Sequence, residues 1–212
     1  MEQKKKEHDH IQDTAWFETL YKECNEDTTK IPWAKLKPND ALIYYLNNND
    51  ENKGKALVIG CGLGDDAKAL HDAGYDTLAI DISKSALEWA QKRFNDTSIS
   101  FEEHSILQMP EHYQNHFDLV FEALTIQSLP VKYRNEMIEA ISQTLTPGGK
   151  LLVVAHGKKK DERFDGPPWP LYEEELKAFS EYGLKELSFE TFEEPSPIAS
   201  MRFIALFEMP KA

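Results

Sequence analysis

The sequence predicts a doubly wound α/β fold with a mostly parallel seven-stranded sheet, an antiparallel carboxyl-terminal edge and a helical amino-terminal cover. Short apolar runs alternate with segments of helical periodicity, which is typical of a sheet built from strand, helix and strand units. A glycine-rich turn follows the first apolar run directly. The last two strand-like runs have no helix between them, which indicates an antiparallel pair at one edge of the sheet.

The first half of this pattern contains three strands and two helices. The first apolar run ends at the glycine turn, and Gly74 ends the helix that follows it. Ser83 is placed to cap the second helix, in which Leu87 and Ala90 share one face. The predicted strands are residues 56–59, 77–80 and 99–102, and the predicted helices are residues 65–72 and 83–94.

The second half continues the alternation and then departs from it. Residues 131–145 carry apolar side chains at helical spacing, and Pro147, Gly148 and Gly149 turn the chain into the next strand. A loop rich in Gly and Pro precedes the last helix. The predicted strands are residues 117–121, 150–155, 184–192 and 202–208, and the predicted helices are residues 131–145 and 171–182. Residues 16–46 form the predicted helical cover.

The length of 212 residues fits one compact unit, in which residues 1–50 form a cover or lid and residues 51–212 form the sheet domain. No apolar run approaches the roughly 20 residues that cross a bilayer, and the amino terminus lacks the apolar centre of a secretory signal. Cys24 and Cys61 are the only cysteines, which argues against a disulfide framework. The sequence therefore predicts a soluble cytoplasmic protein with no membrane partner.

Charge and histidine spacing narrow the class of partner. The formal net charge of −13 at pH 7 repels a phosphate backbone, so nucleic acid is not expected as a substrate. The spacing of His104, His112, His116 and His156 is not that of metal ligands, and we expect no metal site. A small molecule remains as the expected partner, and the sequence sets no oligomeric state.

The glycine turn carries the main evidence for a cofactor. Glycines at the carboxyl end of a strand let the backbone approach a ligand closely. The dinucleotide fingerprint requires a third glycine where this chain has Asp65, followed by Asp66, and two carboxylates oppose a pyrophosphate. A cationic sulfonium nucleoside has the opposite requirement, so charge favours S-adenosylmethionine over NAD. The candidate cofactor contacts in the turn are Gly60, Cys61, Gly62 and Gly64.

Asp81 ends the second predicted strand about twenty residues after the first glycine, where a carboxylate can accept hydrogen bonds from ribose hydroxyls. The alternative role for Asp81 is capping of the next helix, a role that Ser83 already offers. At the end of the third strand, Ser105 and Ile106 fall where an adenine ring is expected. Ile106 is equally compatible with a place in the core.

Three segments resemble those of a known family. Residues 104–128, HSILQMPEHYQNHFDLVFEALTIQS, resemble a stretch of the thiopurine methyltransferases, and Ile31-Pro32-Trp33 resembles a segment shared with the halide/thiol methyltransferases. Gly166-Pro167-Pro168 resembles the Gly-Pro-Pro loop of these enzymes. The resemblance implies a class I S-adenosylmethionine-dependent methyltransferase with a Rossmann-like fold over residues 51–212. It implies cofactor contacts at Trp33, Gly60, Asp81, Ile82, Ser105, Ile106 and Glu122.

The resemblance also has a departure. Thiopurine methyltransferases carry an arginine at the position of Ala123, so the likeness does not imply specificity for aromatic thiols. The acceptor is expected to be a small molecule, such as a thiol or another soft nucleophile. S-adenosyl-L-homocysteine is then the other product.

Methyl transfer from a sulfonium is an in-line displacement that requires alignment and exclusion of water, so we assign no catalytic residue. Because aromatic residues also bury large areas in any core, the acceptor-side candidates have packing as an alternative role. These candidates are Trp16, Phe17, Trp33, Leu124, His156, Trp169 and Arg202. Two other functions remain open at this point, a nucleotide-dependent oxidoreductase on a similar sheet and a noncatalytic nucleoside sensor.

Overall fold

The computed structural model describes residues 2–49 and 53–211, with side chains from residue 12 onward. Seven strands form one sheet in the order β3-β2-β1-β4-β5-β7-β6. The strands β1 to β5 run parallel, and β7 pairs antiparallel with both β5 and β6. Their bounds are β1 Lys55–Ile59, β2 Asp76–Asp81, β3 Ser100–Glu103, β4 Phe117–Ala123, β5 Leu145–Gly157, β6 Lys185–Ser196 and β7 Ala199–Glu208.

Six α-helices accompany these strands in the described part of the chain, and side chains cap two of them. Asn39 accepts a hydrogen bond from the Ala41 amide at the start of α2, and Ser83 accepts one from Ala86 at the start of α4. The helices are α1 Glu2–Cys24, α2 Asp40–Asn48, α3 Asp65–Asp72, α4 Lys84–Arg93, α5 Arg134–Gln143 and α6 Glu173–Lys177.

The strand order places a crevice between β1 and β4. From β1 the chain winds outward through β2 to β3, and it then returns to β4 on the other side of β1. In open sheets of this kind, ligands bind outside the carboxyl ends of the strands at the point where the order reverses. The register brings those ends together, since Ile59 lies beside Ile80 on β2 and beside Glu122 on β4.

Both faces of the sheet are covered, as the apolar runs require. Leu57 and Ile59 of β1 face the side of α5 and α6, and Ala56 and Val58 face the side of α2 and α3. The central strands are therefore buried on both faces, and β1 reads as a continuous apolar run.

The amino-terminal segment packs against the start of the sheet domain. Tyr21, Cys24 and Ile31 form a buried cluster with Leu63 of the glycine turn and Trp89 of α4. The boundary that the sequence predicts between residues 50 and 51 lies outside the described residues. Each helix within the described ranges is too short or too polar to span a bilayer.

The mixed sheet with its antiparallel edge confirms the predicted fold class, but two predicted helices are shorter than their apolar pattern indicates. Residues 131–145 are α-helical only over α5, because Leu145 already pairs with Phe117 as the first residue of β5. Residues 171–182 are α-helical only over α6, since Leu171 forms a bridge with Gly157 and Ala178–Tyr182 form a 3-10 helix. In both cases a residue at one end of the predicted helix, Leu145 or Leu171, pairs instead with a strand from elsewhere in the chain.

Candidate functional site

The glycine turn after β1 adopts a conformation that needs its glycines. Gly60, Gly62 and Gly64 have φ angles of +63°, +51° and +84°. A Cβ on Gly60 would lie 2.2 Å from the Thr125 hydroxyl oxygen, which itself donates a hydrogen bond to the Ile59 carbonyl. The Cys61 amide donates to the Ile80 carbonyl at 2.9 Å and ties the turn to β2. Backbone is thus presented at the crevice without side chains at these three positions.

Asp81 at the end of β2 is the carboxylate that joins the turn to the next helix. Its Oδ2 accepts a hydrogen bond from the Gly62 amide at 2.8 Å, and its Oδ1 accepts one from the Ser83 amide at 2.9 Å. Burial raises the pKa of Asp81, although these hydrogen bonds oppose the shift. Ser83 is the N-cap of α4, as predicted, and Asp81 accepts a hydrogen bond from the amide of this N-cap residue.

The two carboxylates that follow the turn are engaged within the protein. Asp65 forms a bidentate pair with Arg93, with N···O distances of 2.7 and 2.8 Å. Asp66 accepts a hydrogen bond from the Asn39 amide at 2.6 Å, and burial raises its pKa to about 6. The expectation that both carboxylates act directly on the charge of a ligand needs correction, since Arg93 neutralises one and the cover segment holds the other.

The cover lies directly over the turn. The Tyr21 hydroxyl accepts a hydrogen bond from the Trp33 indole N–H at 3.0 Å and lies 3.0 Å from the position of a Cβ on Gly62. Trp33 also packs edge-on to Trp16 and Phe17, each with a centroid distance of 6.0 Å. Three of the predicted aromatic residues, Trp16, Phe17 and Trp33, therefore form one cluster beside Tyr21.

Glu18 fixes the same helix to the start of α4. Its carboxylate accepts hydrogen bonds from the Ser83 hydroxyl at 2.7 Å and from the Ser85 amide at 3.0 Å. Burial raises the pKa of Glu18, but hydrogen bonds from Ser85, Ser83 and Lys22 outweigh that effect and lower the pKa to about 2. The Glu18 carboxylate is therefore ionised at neutral pH.

The predicted adenine-side residues follow β3. Ser105 begins a short 3-10 turn, where its hydroxyl accepts a hydrogen bond from the Leu107 amide at 3.2 Å. Ile106 is buried in the main core cluster, so packing already explains part of its presence. Ile82 lies between Asp81 and the N-cap residue Ser83 and is half-buried.

Glu122 near the end of β4 is fully buried. Its Oε1 accepts hydrogen bonds from the amides of Thr125 and Ile126 at 2.5 and 3.0 Å. Its Oε2 is buried and has no hydrogen-bond partner in the described part of the chain. Burial raises the pKa of Glu122 to about 7, although the two amides lower it. This carboxyl group can therefore change its charge near neutral pH.

The candidate acceptor side lies at the ends of β5 and β7, where His156 and Arg202 face each other across the strand pair. Arg202 forms a bidentate pair with Glu194, with distances of 2.7 and 2.9 Å. Burial and the charge of Arg202 lower the pKa of His156 to about 4, and Lys35 of the cover contributes in the same direction. His156 is therefore neutral at pH 7, and its Nδ1 has no hydrogen-bond partner within residues 2–49 and 53–211.

Leu124 and Trp169 complete the predicted set. Leu124 has a φ of +66° in the turn after β4, which is a strained conformation for a branched side chain. A Cβ on Gly166 would lie 2.6 Å from the Trp169 indole, so the indole packs on the glycine of the Gly-Pro-Pro loop. The Trp169 amide donates to the Gln127 carbonyl at 2.7 Å.

Sequence reasoning missed several residues of this region. Glu18 and Tyr21 come from a polar helix whose pattern gives no sign of a role in the site, although Phe17 and Tyr21 have helical spacing. Gln127 and Arg134 are buried polar residues in segments that read as ordinary loop and helix. Among the described residues, no group of three or more His, Cys, Asp or Glu side chains is arranged to hold a metal ion.

Comparison with known proteins decides the family. Residues 19–201 match the family described as Thiopurine S-methyltransferase (TPMT). The chain belongs to this family. Members are methyltransferases, so this protein is an S-adenosylmethionine-dependent methyltransferase of small molecules, with S-adenosyl-L-homocysteine as the other product. This result confirms the predicted family, cofactor and enzyme class, and nothing in the comparisons favours the oxidoreductase or the sensor.

Three similar proteins are also methyltransferases by name. A probable thiol methyltransferase 2 from Arabidopsis thaliana is 29% identical over 65% of this chain, which spans 61% of that protein. A thiocyanate methyltransferase 1 from Brassica oleracea is 25% identical over 86% of the chain and 80% of its own length. The N-methyltransferase NodS from Bradyrhizobium japonicum, solved with S-adenosyl-L-homocysteine, shares the fold with a TM-score of 0.69 at 22% identity, over 85% of this chain and 92% of its own.

Proposed function

We propose that this methyltransferase transfers the methyl group of S-adenosylmethionine to the sulfur of a small thiol or to a comparable soft nucleophile such as thiocyanate. The observation that carries the proposal is the charge arrangement around His156, whose imidazole is neutral. Arg202 and Lys35 act on it as cations, and the nearby carboxylate of Glu194 is already paired with Arg202. These surroundings favour an acceptor that is anionic or readily ionised over an amine that is cationic at neutral pH. The thiol and thiocyanate methyltransferases among the relatives support this choice.

In this proposal the cofactor lies across the carboxyl ends of β1, β2 and β4. Asp81 accepts hydrogen bonds from the amides of Gly62, Ser83 and Ile82, and a carboxylate has about four acceptor sites, so room remains for a ribose hydroxyl. The free Oε2 of Glu122 supplies an acceptor for a cationic group. The proposed contacts are Trp33, Gly60, Cys61, Gly62, Gly64, Asp81, Ile82, Ser105, Ile106 and Glu122.

When bound, S-adenosylmethionine supplies an electrophilic methyl group on a cationic sulfonium. The residues of the chain orient the acceptor and exclude water, and they need to remove no proton from an acceptor that is already ionised. For a protonated thiol, the neutral His156 offers Nδ1 as a proton acceptor. The proposed acceptor contacts are Trp16, Leu124, His156, Trp169 and Arg202.

The position of the cover adds a requirement to this proposal. Tyr21 and Trp33 lie over Gly62, and Glu18 fastens the same helix to α4. Exchange of cofactor and product therefore needs α1 to move away from the turn. The cover then excludes water when it is closed.

An acceptor panel tests the proposal. Purified protein is incubated with S-adenosylmethionine and, separately, with thiocyanate, hydrogen sulfide, thiophenol, iodide, a primary amine and a phenol, and the release of S-adenosyl-L-homocysteine is measured. We expect turnover with the sulfur acceptors at rates at least about tenfold above those with the amine, because the thiolate is the reactive species. Turnover with the amine or the phenol alone would overturn the proposal.

A variant separates acceptor binding from cofactor binding in the same assay. Arg202→Met removes one charge near His156, and we expect a higher KM for thiocyanate with an unchanged dissociation constant for S-adenosylmethionine. Arg163→Met is the control because Arg163 lies in an exposed loop segment and its charge is not among those that affect His156. Equal effects of the two substitutions would contradict a role for Arg202 in acceptor binding.

A further inference from the structure

Two buried polar residues outside the proposed contacts converge on the acceptor-side wall. Gln127 lies in the 3-10 turn Ile126–Ser128 that follows β4 and is 1% exposed. Its side-chain Oε1 accepts a hydrogen bond from the His156 amide at 2.5 Å, and its main-chain carbonyl accepts one from the Trp169 amide at 2.7 Å. One residue therefore sets the distance between the end of β5 and the Trp169 loop.

Arg134 holds the same loop from the other side. This first residue of α5 is 3% exposed, and its Nη2 donates to the Trp169 carbonyl at 2.8 Å. Its Nη1 donates to Glu175 at 2.6 Å, and the second oxygen of Glu175 accepts from the Tyr172 amide at 2.7 Å. Both polar groups of the Trp169 main chain are thus occupied by Gln127 and Arg134.

The chain beyond Trp169 is tied to β5 as well. The Leu171 amide donates to the His156 carbonyl and the Lys158 amide donates to the Leu171 carbonyl, each at 2.9 Å. The segment therefore runs beside the end of β5 as a short parallel bridge. These contacts make the segment 166–172 a fixed wall rather than an open surface loop.

The chemistry of this arrangement indicates a purpose beyond stability. A buried guanidinium and a buried amide are costly to desolvate, and well-packed apolar residues often stabilise a fold as well or better. Most of the other buried residues of α5 are apolar, namely Met137, Ile138 and Ile141. Hydrogen-bonding side chains differ from apolar ones in that they fix the distance and direction of the groups they join.

We infer that Gln127 and Arg134 are positioning residues that determine acceptor specificity by fixing the Trp169 main chain relative to His156. They act through Trp169 and His156, and the inference rests on the proposed acceptor site. The cofactor half of the crevice, formed by the turn 60–64 and Asp81, makes none of these hydrogen bonds. Loss of either residue is therefore expected to change the KM for the acceptor and to leave the KM for S-adenosylmethionine unchanged.

The test compares Arg134→Met, Arg134→Lys and Gln127→Ala with Ser142→Ala. Ser142 is a matched control because it is buried on the same helix and its hydroxyl donates only to the Ile138 carbonyl. In steady-state assays with thiocyanate, or with whichever acceptor of the panel reacts, we expect Arg134→Met and Gln127→Ala to raise the acceptor KM about five- to tenfold. The KM for S-adenosylmethionine should stay within about twofold, and Arg134→Lys should restore part of the loss because it keeps the charge.

Amide hydrogen exchange supplies a second readout that needs no turnover. We expect exchange at Trp169 and Leu171 to accelerate at least about tenfold in Arg134→Met and Gln127→Ala, while the amides of β1 are unchanged. If no acceptor reacts, the proposed function fails, and these exchange rates still decide whether the two residues fix the loop. The inference is overturned by unchanged exchange at Trp169, or by equal increases in the KM of acceptor and cofactor.

Discussion

The cofactor half and the acceptor half of the crevice are held together in different ways. In the cofactor half, the amides of the turn itself bond to the strand that follows next in the sequence, since Gly62 donates to Asp81 and Cys61 donates to Ile80. The cover adds a contact from a distant segment, because Glu18 accepts a hydrogen bond from Ser83. In the acceptor half, side chains join residues far apart in the chain. Gln127 and His156 are 29 residues apart, and Arg134 and Glu175 are 41 apart.

The difference extends to how the polar groups are satisfied. Both oxygens of Asp81 have backbone partners, whereas Nδ1 of His156 on the acceptor side is buried without a partner among the described residues. Oε2 of Glu122, a proposed cofactor contact at the boundary between the halves, also has no partner there. Groups left unsatisfied in a folded protein are commonly those that a ligand completes. The cofactor half is thus a preformed backbone surface, and the acceptor half is where side-chain changes are expected to alter specificity.

The largest expected effect on cofactor binding comes from adding one carbon atom to the glycine turn. Gly60→Ala places a methyl group 2.2 Å from the Thr125 hydroxyl at a φ of +63°, so we expect about a 100-fold loss of affinity for S-adenosylmethionine by calorimetry, with reduced stability. Gly183→Ala is the matched control. Gly183 also has a positive φ, but nothing lies within 4 Å of its added Cβ, so only a small loss of stability is expected.

Replacement of Asp81 tests whether its carboxylate contributes to cofactor binding. Asp81→Ala should weaken the binding of S-adenosylmethionine by about 1 to 3 kcal/mol, because it removes the proposed ribose acceptors and the bond to Gly62. Asp76→Ala serves as the control at the opposite, exposed end of β2. An affinity in Asp81→Ala equal to that of the control would contradict the ribose assignment.

The third prediction concerns the boundary between the halves, at Glu122. Its pKa of about 7 in the folded protein lies above the ordinary value of 4.5, so the folded state holds this proton more tightly. Its contribution to the free energy of unfolding is therefore present at acid pH and is lost as the pH rises through 7. Relative to Glu122→Gln, the native protein should lose about 1 to 3 kcal/mol of stability between pH 5 and pH 8 in urea titrations.

Binding of the cofactor should release the proton of Glu122. A cationic ligand beside Glu122 favours its ionised form, so binding of S-adenosylmethionine near pH 7 should release a fraction of a proton, measured by calorimetry in buffers of different ionisation enthalpy. S-adenosyl-L-homocysteine lacks the sulfonium charge and should release less. Equal proton release by the two ligands, or the same release in Glu122→Gln, would place this carboxyl group away from the sulfonium.

The smallest expected effect concerns the acceptor half and tests the contribution of Lys35. Lys35 is exposed, and its charge influences His156 and Glu194 from the cover. Lys35→Met should raise the KM for thiocyanate about two- to threefold at low salt, and the effect should shrink as salt is added because exposed charges are screened. Lys37→Met is the control, since Lys37 pairs with Asp40. Similar changes in both variants would indicate only a general effect of net charge.

The elements that the sequence predicts correctly are those whose signals are local. The helix over residues 65–72 agrees with α3 at both ends, because the glycine turn precedes it and Gly74 follows it. The helix capped by Ser83 likewise ends within one residue of its expected position. By contrast, Leu145 and Leu171 leave their predicted helices because strands elsewhere in the chain pair with them.

The residues of the candidate site also differ in whether their signal in the sequence is local. Gly60, Gly62 and Asp81 are recognisable because their spacing along two consecutive strands carries the geometry. The partners of Asp65 and Asp66 are not recognisable in this way. Arg93 of α4 neutralises Asp65, and the amide of Asn39, the N-cap of α2, donates to the buried carboxylate of Asp66. Gln127 and Arg134 have no sequence signal, because a buried polar side chain is identified only by what it contacts.

By itself, the sequence determined the order of strands and helices, the glycine turn with its neighbouring carboxylate, and the family to which these motifs belong. These features depend on periodicity, backbone conformation and short spacing, which a linear chain displays. The folded structure was needed to show which carboxylates are paired, where the cover lies and how Trp169 is held. Those features depend on burial and on contacts between distant segments, and burial sets both the pKa values and the cost of every unsatisfied polar group.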